Sequence, residues 1–260
     1  MTQDILIERR DGVQTLRFNR PKKKNAITRA MYSALAAGLT AGEADAATGA
    51  HLFLGSGGIF TAGNDLADFI GRDSVTAADN PVVAFLEAVV SAQKPLIAAV
   101  DGAAIGIGTT LLLHCDLVYA SPAARLATPF IDLGLVPEAA SSLLLPQRAG
   151  HPVAFEMLCL GTALNADRAL AAGLVNAVFS AEHLEARAHA SAAALAAKPR
   201  EALLISRRLL RGEPAVLRAR MAQEFAHFTE RLGSPEAREA ISAFLEKRQP
   251  DFIKARKALA

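Results

Sequence analysis

Two glycine-bearing turns and one isolated carboxylate are the features of this sequence that could do chemistry. One turn lies within residues 60–66, and the other carries three closely spaced glycines, Gly102, Gly106 and Gly108. Glycine lets a backbone turn tightly and lets a ligand approach it closely. Where such a turn opens a helix, the unpaired N–H groups of the first helical residues can hold a negative oxygen. The second pattern therefore predicts an oxyanion site near Ile107.

The isolated carboxylate is Glu138, which follows Pro137 and begins an apolar helical segment. A carboxylate at this position commonly complements a helix N-terminus and stabilises it weakly. It could equally serve as a general base, since a glutamate beside a reacting carbon can accept a proton. The residues alone leave both roles open.

The elements that must position these groups follow from the hydrophobic pattern. Residues 96–100 form a continuous apolar run typical of a buried strand, and residues 111–113 continue as a helix. Residues 51–54 form another strand ahead of the turn at 60–66, so strand, turn and helix occur twice. This repetition predicts stacked α/β units, but it is common enough that the turns alone do not identify a site.

The first half of the remaining chain adds a hairpin, further helices and further strands. Asp11-Gly12 is a strong hairpin signal, and Thr28 is a helix N-cap candidate. The lysines at 22–24 form a basic loop that either is solvated or faces phosphates. The predicted segments are strands 5–7, 13–18 and 117–120, a mobile loop at 71–80, a helix at 82–91 and an extended segment at 126–130.

The second half is almost wholly helical. Asn165 is predicted to cap a helix that ends near Gly173, and residues 174–179 are predicted to form a short strand. A helix at 182–197 follows. Three more helices are separated by Pro199, Gly212 and Gly233.

The composition excludes several classes of protein. Of the 260 residues, 52% are hydrophobic and 21% are charged, which excludes a disordered chain. The net charge of +2 gives no general attraction to nucleic acid or to an anionic membrane. A membrane span is also excluded. Asp101 interrupts the apolar stretch that begins at Leu96, and the uninterrupted part after Asp101 is shorter than the roughly 18 residues that a span needs.

The cysteines and the N-terminus indicate an intracellular setting. Cys115 and Cys159 lie in apolar helical contexts outside any metal-like cluster, so we expect free thiols and no metal site. Charged residues at 4–10 occupy the place where a signal peptide needs an apolar core. The sequence therefore predicts a soluble, cytoplasmic protein.

Six segments follow one another over nearly the whole chain, at residues 19–27, 60–66, 94–108, 115–121, around Gly173 and at 240–252. In type and order these segments resemble the crotonase superfamily, the enoyl-CoA hydratases and isomerases. The resemblance implies an α/β fold in which a spiral of β-β-α units at residues 1–197 carries the acyl-CoA site. A helical oligomerisation region at 198–260 would join subunits as a trimer or a dimer of trimers.

The resemblance also implies residue roles. The backbone N–H groups of Asn64 and Ile107 would form an oxyanion hole for the enolate that arises when a proton leaves the carbon next to a thioester. The resemblance further implies contacts to an acyl-CoA substrate, so coenzyme A arrives with the substrate and no separate cofactor is expected. The residues in question are Lys22, Ala26, Ala62, Asp65, Leu66, Gly106 and, toward a neighbouring subunit, Phe252 and Lys254.

The departures from the hydratase pattern point to a particular branch. The positions of the two hydratase glutamates hold Thr110 and Phe130, so water addition is not expected. The segment around Glu138 resembles the Δ3,Δ2-enoyl-CoA isomerases, in which the glutamate after the proline is the base. Apolar neighbours should raise the pKa of Glu138, and Asp132, the nearest other carboxylate, is treated as structural.

Three other functions remain open. A different crotonase-type reaction on a branched or aromatic acyl-CoA would keep the oxyanion hole and change the acyl pocket. A catalytically silent member would bind acyl-CoA without turnover. A dinucleotide-binding oxidoreductase would need a full glycine fingerprint and an acidic residue about 20 positions later, and the glycine pattern lacks that fingerprint.

Overall fold

A computed structural model describes residues 4–68 and 80–257 as a mixed α/β fold. Within these ranges, no helix combines the length and the apolar character that crossing a bilayer requires. The predicted mobile loop at 71–80 lies outside the described residues, apart from Asn80.

Two sheets form the centre of the molecule. The larger has the strand order β1-β2-β3-β4-β6-β9, and the smaller has the order β5-β7-β8. In the larger sheet only the β1–β2 pair is antiparallel. The strands are β1 (Ile5–Arg10), β2 (Val13–Phe18), β3 (Ala50–Gly55), β4 (Leu96–Val100), β5 (Ala103–Ile105), β6 (Leu117–Ala120), β7 (Arg125–Ala127), β8 (Leu164–Asn165) and β9 (Ala177–Val178).

Ten helices in the described part cover the sheets and form the C-terminal region. The longest unbroken one is α8, while α4 is interrupted at Gly150, which adopts φ 77°. They are α1 (Arg29–Ala44), α2 (Pro81–Ser91), α3 (Ile107–Leu112), α4 (Ser141–Leu158), α5 (Ala166–Ala171), α6 (Ala181–Ala196), α7 (Arg200–Arg211), α8 (Pro214–Leu232), α9 (Pro235–Glu246) and α10 (Phe252–Lys257).

The larger sheet is buried on both faces. Phe53 and Ala98 face the core that includes α1 and α2, whereas Leu52 and Ile97 face the core that includes α6. Parallel strands covered by helices on both sides are apolar throughout rather than alternating. This explains the continuous apolar runs in the sequence of β3 and β4.

The structure confirms the turn and cap predictions that rest on local chemistry. Asp11 and Gly12 join β1 to β2 with φ values of 54° and 74°. The backbone N–H of Met31 donates to Oγ1 of Thr28 at the start of α1. The side chain of Asn165 likewise accepts from the N–H of Arg168 at the start of α5.

Three segments differ from the sequence-based expectation. The extended segment predicted at 126–130 ends at Ala127, and Phe130 has the helical angles φ −60° and ψ −45°. Pro129 lies between them and has no N–H for a sheet ladder, which accounts for the early end. The strand predicted at 174–179 is only two residues long, and the predicted turn after β4 contains the short strand β5.

The helices after α6 pack on the rest of the fold. Helix α8 contacts α2 and α4, and α9 contacts the short 3₁₀ helix Ile131–Leu133. A fourth helix, α10, follows the three that the sequence predicts in this region. The chain beyond residue 197 therefore packs directly beside the segment that contains Glu138.

Candidate active site

The two glycine turns lie side by side. Thr61 and Ala104 form a parallel bridge. The N–H of Thr61 donates to the carbonyl of Ala103 at 2.9 Å, and the N–H of Ile105 donates to the carbonyl of Thr61 at 3.0 Å. Two segments more than 40 positions apart thus run together into one site.

Gly63 makes this approach possible. It adopts φ 85°, and a Cβ atom added there would lie only 2.7 Å from the carbonyl oxygen of Ile105. Asn64 follows directly, and Ile107 begins α3 two residues beyond Ile105. Among the described residues, no hydrogen-bond acceptor is found for the backbone N–H of Asn64 or of Ile107. Both donors are thus available at adjacent turns.

Glu138 contacts the first turn of α3. Its Oε1 accepts a 2.5 Å hydrogen bond from the hydroxyl of Thr110, three residues after Ile107. The same hydroxyl lies 3.4 Å from the carbonyl oxygen of Ile107. The carboxyl group is therefore held beside the helix start that carries one of the two available N–H donors.

The surroundings of Glu138 favour its neutral form. Burial raises its pKa from the ordinary 4.5 to about 7, because the ionised carboxylate loses solvation. The hydrogen bond from Thr110 opposes this change, and the negative charge of Glu224 adds to it. A carboxyl group with a pKa near 7 is ionised in a substantial fraction of molecules at neutral pH and is still basic enough to accept a proton from carbon.

Tyr32 is hydrogen-bonded to Asn64 and lies close enough to Glu138 to be affected by its charge. Its hydroxyl donates to Oδ1 of Asn64, and its side chain is fully buried. Burial raises the pKa of Tyr32 well above 10, and the charge of Glu138 raises it further. The phenol therefore stays protonated and orients the Asn64 side chain by a fixed donation.

The two positions at which the resemblance implies hydratase glutamates have different surroundings. Thr110 contributes its hydroxyl to Glu138, whereas Phe130 is 7% exposed and lies against the glycine turn. A ring carbon of Phe130 would be 4.0 Å from a Cβ atom placed on Gly106. Neither residue supplies a second carboxylate beside Glu138.

The predicted CoA-binding residues near the N-terminus fall in one region. Lys22 is exposed on the 3₁₀ helix Pro21–Lys23. Ala62 donates its N–H to the carbonyl of Lys24, and Ala26 donates its N–H to the carbonyl of Lys23. Leu66 begins the 3₁₀ helix Leu66–Asp68. These residues remain predicted contacts.

Other predicted residues have different environments. The carboxylate of Asp65 pairs with the guanidinium of Arg20 at 2.6 Å, so its charge is already neutralised. Phe252 and Lys254 lie on α10, which packs mainly against α9. No described contact joins either of them to the glycine turns or to Glu138. Asp132 is exposed, and its carboxylate lies against Gly161.

Sequence reasoning missed Tyr32 and Glu224. Tyr32 follows Met31 on the buried side of α1, and its polar hydroxyl among apolar neighbours is the signal that could have singled it out. Glu224 gave no such signal, because α8 carries charges throughout and only packing shows which one is buried.

The comparisons with known proteins identify the family. Residues 8–255 match the family model described as enoyl-CoA hydratase/isomerase. Enoyl-CoA delta isomerase 2 of Rattus norvegicus is 36% identical over 95% of this chain, which spans 64% of the rat protein. The 2,3-dehydroadipyl-CoA hydratase of Escherichia coli is 33% identical, with 96% of this chain and 98% of that protein covered.

A solved structure is similar over the same extent. The enoyl-CoA hydratase/isomerase of Pseudoalteromonas atlantica superimposes with a TM-score of 0.90 at 42% identity, covering 96% of this chain and 100% of the other. Relatives with isomerase and hydratase names match at similar identity, so the names alone do not choose the reaction. The sequence match, the two adjacent glycine turns and the fold together lead to one conclusion: the chain belongs to the enoyl-CoA hydratase/isomerase family and has the crotonase fold.

Proposed function

We propose that this protein is a Δ3,Δ2-enoyl-CoA isomerase in which Glu138 is the catalytic base. The observation that supports this most is the carboxyl group of Glu138, with its pKa raised to about 7, beside the start of α3. An isomerase needs one carboxyl group that takes and returns a proton. A hydratase of the two-glutamate type would need a second one, and its positions hold Thr110 and Phe130.

The reaction moves one proton and one double bond. Glu138 removes a proton from C2 of a 3-enoyl-CoA, and the electrons of the C2–H bond pass through the C2–C1 bond to the thioester oxygen. The N–H groups of Asn64 and Ile107 stabilise the charge on this oxygen. The dienolate then takes the proton from Glu138 at C4, and the double bond forms between C2 and C3. The product is the trans-2-enoyl-CoA.

One carboxyl group can perform both transfers because C2 and C4 lie on the same face of the planar dienolate. The proton moves only from C2 to C4, so a second acid is not required. We propose no cofactor beyond the CoA that arrives with the substrate. The supporting chemistry is entirely acid–base and electrostatic.

The oligomeric state, the cellular location and the pathway are also proposals. The exposed apolar side chains of the C-terminal helices support assembly into a trimer or a dimer of trimers, in which Phe252 and Lys254 would reach a neighbouring subunit's CoA. We propose a role in cytoplasmic fatty acid or related acyl-CoA degradation. The exposed side chains are Leu209, Leu210, Val216, Phe244, Leu245 and Ile253.

The decisive experiment compares purified wild-type protein with Glu138→Gln. Each is incubated with cis- and trans-3-enoyl-CoA and with a 2-enoyl-CoA, and the absorbance of the conjugated thioester is followed. The wild type should form the conjugated product, and Glu138→Gln should lose roughly 10²-fold or more in kcat. Asp132→Asn is the matched control, because this neighbouring carboxylate is exposed, and it should retain activity.

Two outcomes would contradict the proposal. If the 2-enoyl-CoA is hydrated and the 3-enoyl-CoA is unchanged, the protein is a hydratase. If neither substrate reacts although CoA esters bind, the protein performs another acyl-CoA reaction or binds without turnover.

A further inference from the structure

The backbone immediately after Glu138 is in an unfavourable conformation. Ala139 and Ala140 both adopt φ 57°, in the left-handed region that a residue with a Cβ atom rarely enters. Both alanines are almost completely buried. Two consecutive residues in this conformation persist only where surrounding contacts hold them.

Two buried polar side chains supply those contacts. The carbonyl of Ala139 accepts a 2.8 Å hydrogen bond from Nε2 of His114. The N–H of Ala140 donates to Oε2 of Glu224 at 2.6 Å. Oε1 of Glu224 accepts from the N–H and the hydroxyl of Ser142, at 3.0 Å and 2.5 Å. The turn is thus held from both sides.

His114 is suited to its half of this arrangement. The pKa of His114 is lowered to about 4, chiefly by burial and to a smaller extent by the positive charges of Arg211 and Arg148, while the hydrogen bond to Ala139 opposes this change. The ring is therefore neutral at physiological pH. A neutral ring whose Nε2 carries the hydrogen gives a permanent donor to the Ala139 carbonyl.

We propose that Glu224 is a positioning residue for Glu138. Its carboxylate holds the N–H groups of Ala140 and Ser142 and thereby fixes the left-handed turn from which the Glu138 side chain extends. Glu224 is only 6% exposed, and it reaches this turn from α8, 84 positions along the chain from Ala140. The inference rests on the proposed role of Glu138 as the base.

Glu224 also acts on Glu138 through its charge. The negative charge of Glu224 adds to burial in raising the pKa of Glu138. Burial raises the pKa of Glu224 itself, whereas its hydrogen bonds and the positive charge of Arg220 lower it. His227 lies on the same side of α8 and, with Arg220 and Glu224, lines a surface groove of about 440 Å³.

Two further groups near Glu138 carry no charge. Thr110 donates to its carboxylate, and Tyr32 is a protonated phenol. Replacing Glu224 by glutamine would therefore remove the negative charge that acts on Glu138. The glutamine would also present one amide NH₂ group where the turn needs an acceptor.

The test combines kinetics with a titration that does not need turnover. Wild type, Glu224→Gln, Glu224→Asp and Glu138→Gln are labelled with ¹³C at the glutamate carboxyl carbon, and the Glu138 signal is followed by NMR against pH. The signal missing from Glu138→Gln assigns it. The pH profile of isomerase kcat and KM is measured in parallel. Glu230→Gln is the control, since Glu230 is exposed on the same helix.

We expect Glu224→Gln to lose about tenfold or more in kcat, with less change in KM, because a displaced Glu138 carboxylate is poorly aligned with C2 of the substrate. Its Glu138 titration should move to lower pH. Glu224→Asp keeps the charge but is too short for all three hydrogen bonds, so its kcat should fall with a smaller change in the titration. Glu230→Gln should match the wild type in both measurements.

Several results would overturn the inference. It is wrong if kcat and the Glu138 titration of Glu224→Gln both equal those of the wild type. It is also wrong if Glu224→Gln has a lower melting temperature and a correspondingly lower kcat but an unchanged Glu138 titration, since Glu224 would then contribute to stability alone. If Glu224→Gln does not fold, an unchanged kcat in Glu224→Asp decides against it. An inactive wild type would refute the proposed reaction, and the titration would still test the link between Glu224 and Glu138.

Discussion

Thr110 donates its hydroxyl hydrogen to Oε1 of Glu138 over 2.5 Å. The resemblance to the hydratases implies a glutamate at this position. A carboxylate at position 110 would place a second negative charge beside Glu138. The threonine instead stabilises the ionised form of the proposed base. Thr110 thus gives Glu138 a hydrogen bond in place of a second negative charge.

Replacing Thr110 by valine should raise the pKa of Glu138 above about 7. Valine has the same shape as threonine but lacks the hydroxyl that stabilises the ionised carboxylate, and this hydrogen bond opposes the effect of burial. Isomerase activity should rise with pH in the wild type, with a midpoint near pH 7, and the midpoint should lie at higher pH in Thr110→Val. A pH profile of kcat/KM checks this, with Thr110→Ser as the control that keeps the hydroxyl. A midpoint that moves to lower pH in Thr110→Val would contradict the assigned role.

Glu138 should make the wild type less stable as the pH rises. Its pKa is about 7 in the folded protein and about 4.5 when unfolded, so between these values the folded state holds a proton that the unfolded state has released. Stability therefore falls from about pH 4.5 to about pH 7, by up to about 3 kcal/mol. Glu138→Gln cannot ionise and should be more stable than the wild type at pH 8 but not at pH 4.5.

Urea unfolding at both pH values measures this difference. Asp132→Asn is the control, and it should follow the pH dependence of the wild type because Asp132 is exposed. Equal stabilities of wild type and Glu138→Gln at pH 8 would show that burial does not destabilise the ionised form of Glu138.

Gly63→Ala should separate the two glycine turns. Its Cβ would lie 2.7 Å from the carbonyl oxygen of Ile105, and its φ of 85° is unfavourable for alanine. We expect a loss of about 2 kcal/mol or more in the free energy of unfolding and a large fall in kcat. Gly233→Ala is the matched control, since its Cβ would have ordinary contacts, the nearest at 3.6 Å. If the free energy of unfolding and kcat of Gly63→Ala both equal those of the wild type, this account of the two turns is wrong.

A single carboxyl group should carry deuterium from C2 to C4. When a 3-enoyl-CoA deuterated at C2 is converted in ordinary water, part of the label should appear at C4, because partial burial of Glu138 slows exchange of its proton with solvent. NMR or mass spectrometry of the product measures the retained label. Absence of deuterium from C4 of the product in single-turnover conditions would indicate two separate acids or a fully solvated base. Deuterium at C2 of the starting material must be stable without enzyme over the same time.

The sequence by itself determined the features that depend on local chemistry. Asp11-Gly12 specifies a tight hairpin because both residues tolerate positive φ, and Thr28 and Asn165 specify helix starts because their side chains accept from backbone N–H groups. The family resemblance, carried by segments along nearly the whole chain, led to the fold and to Glu138. Local pattern was less reliable where a proline ended a strand, as at Pro129 before Phe130.

Only the tertiary structure decided how the candidate site is held together. Thr110 and Glu138 are 28 positions apart, Tyr32 and Asn64 are 32 apart, and Ala140 and Glu224 are 84 apart. Such pairs meet because helices and strands pack in one arrangement, and no periodicity along the chain encodes which polar side chain that packing buries. The sequence therefore specifies the elements and the chemical groups, whereas the environment that sets their charge and orientation arises from contacts between distant segments.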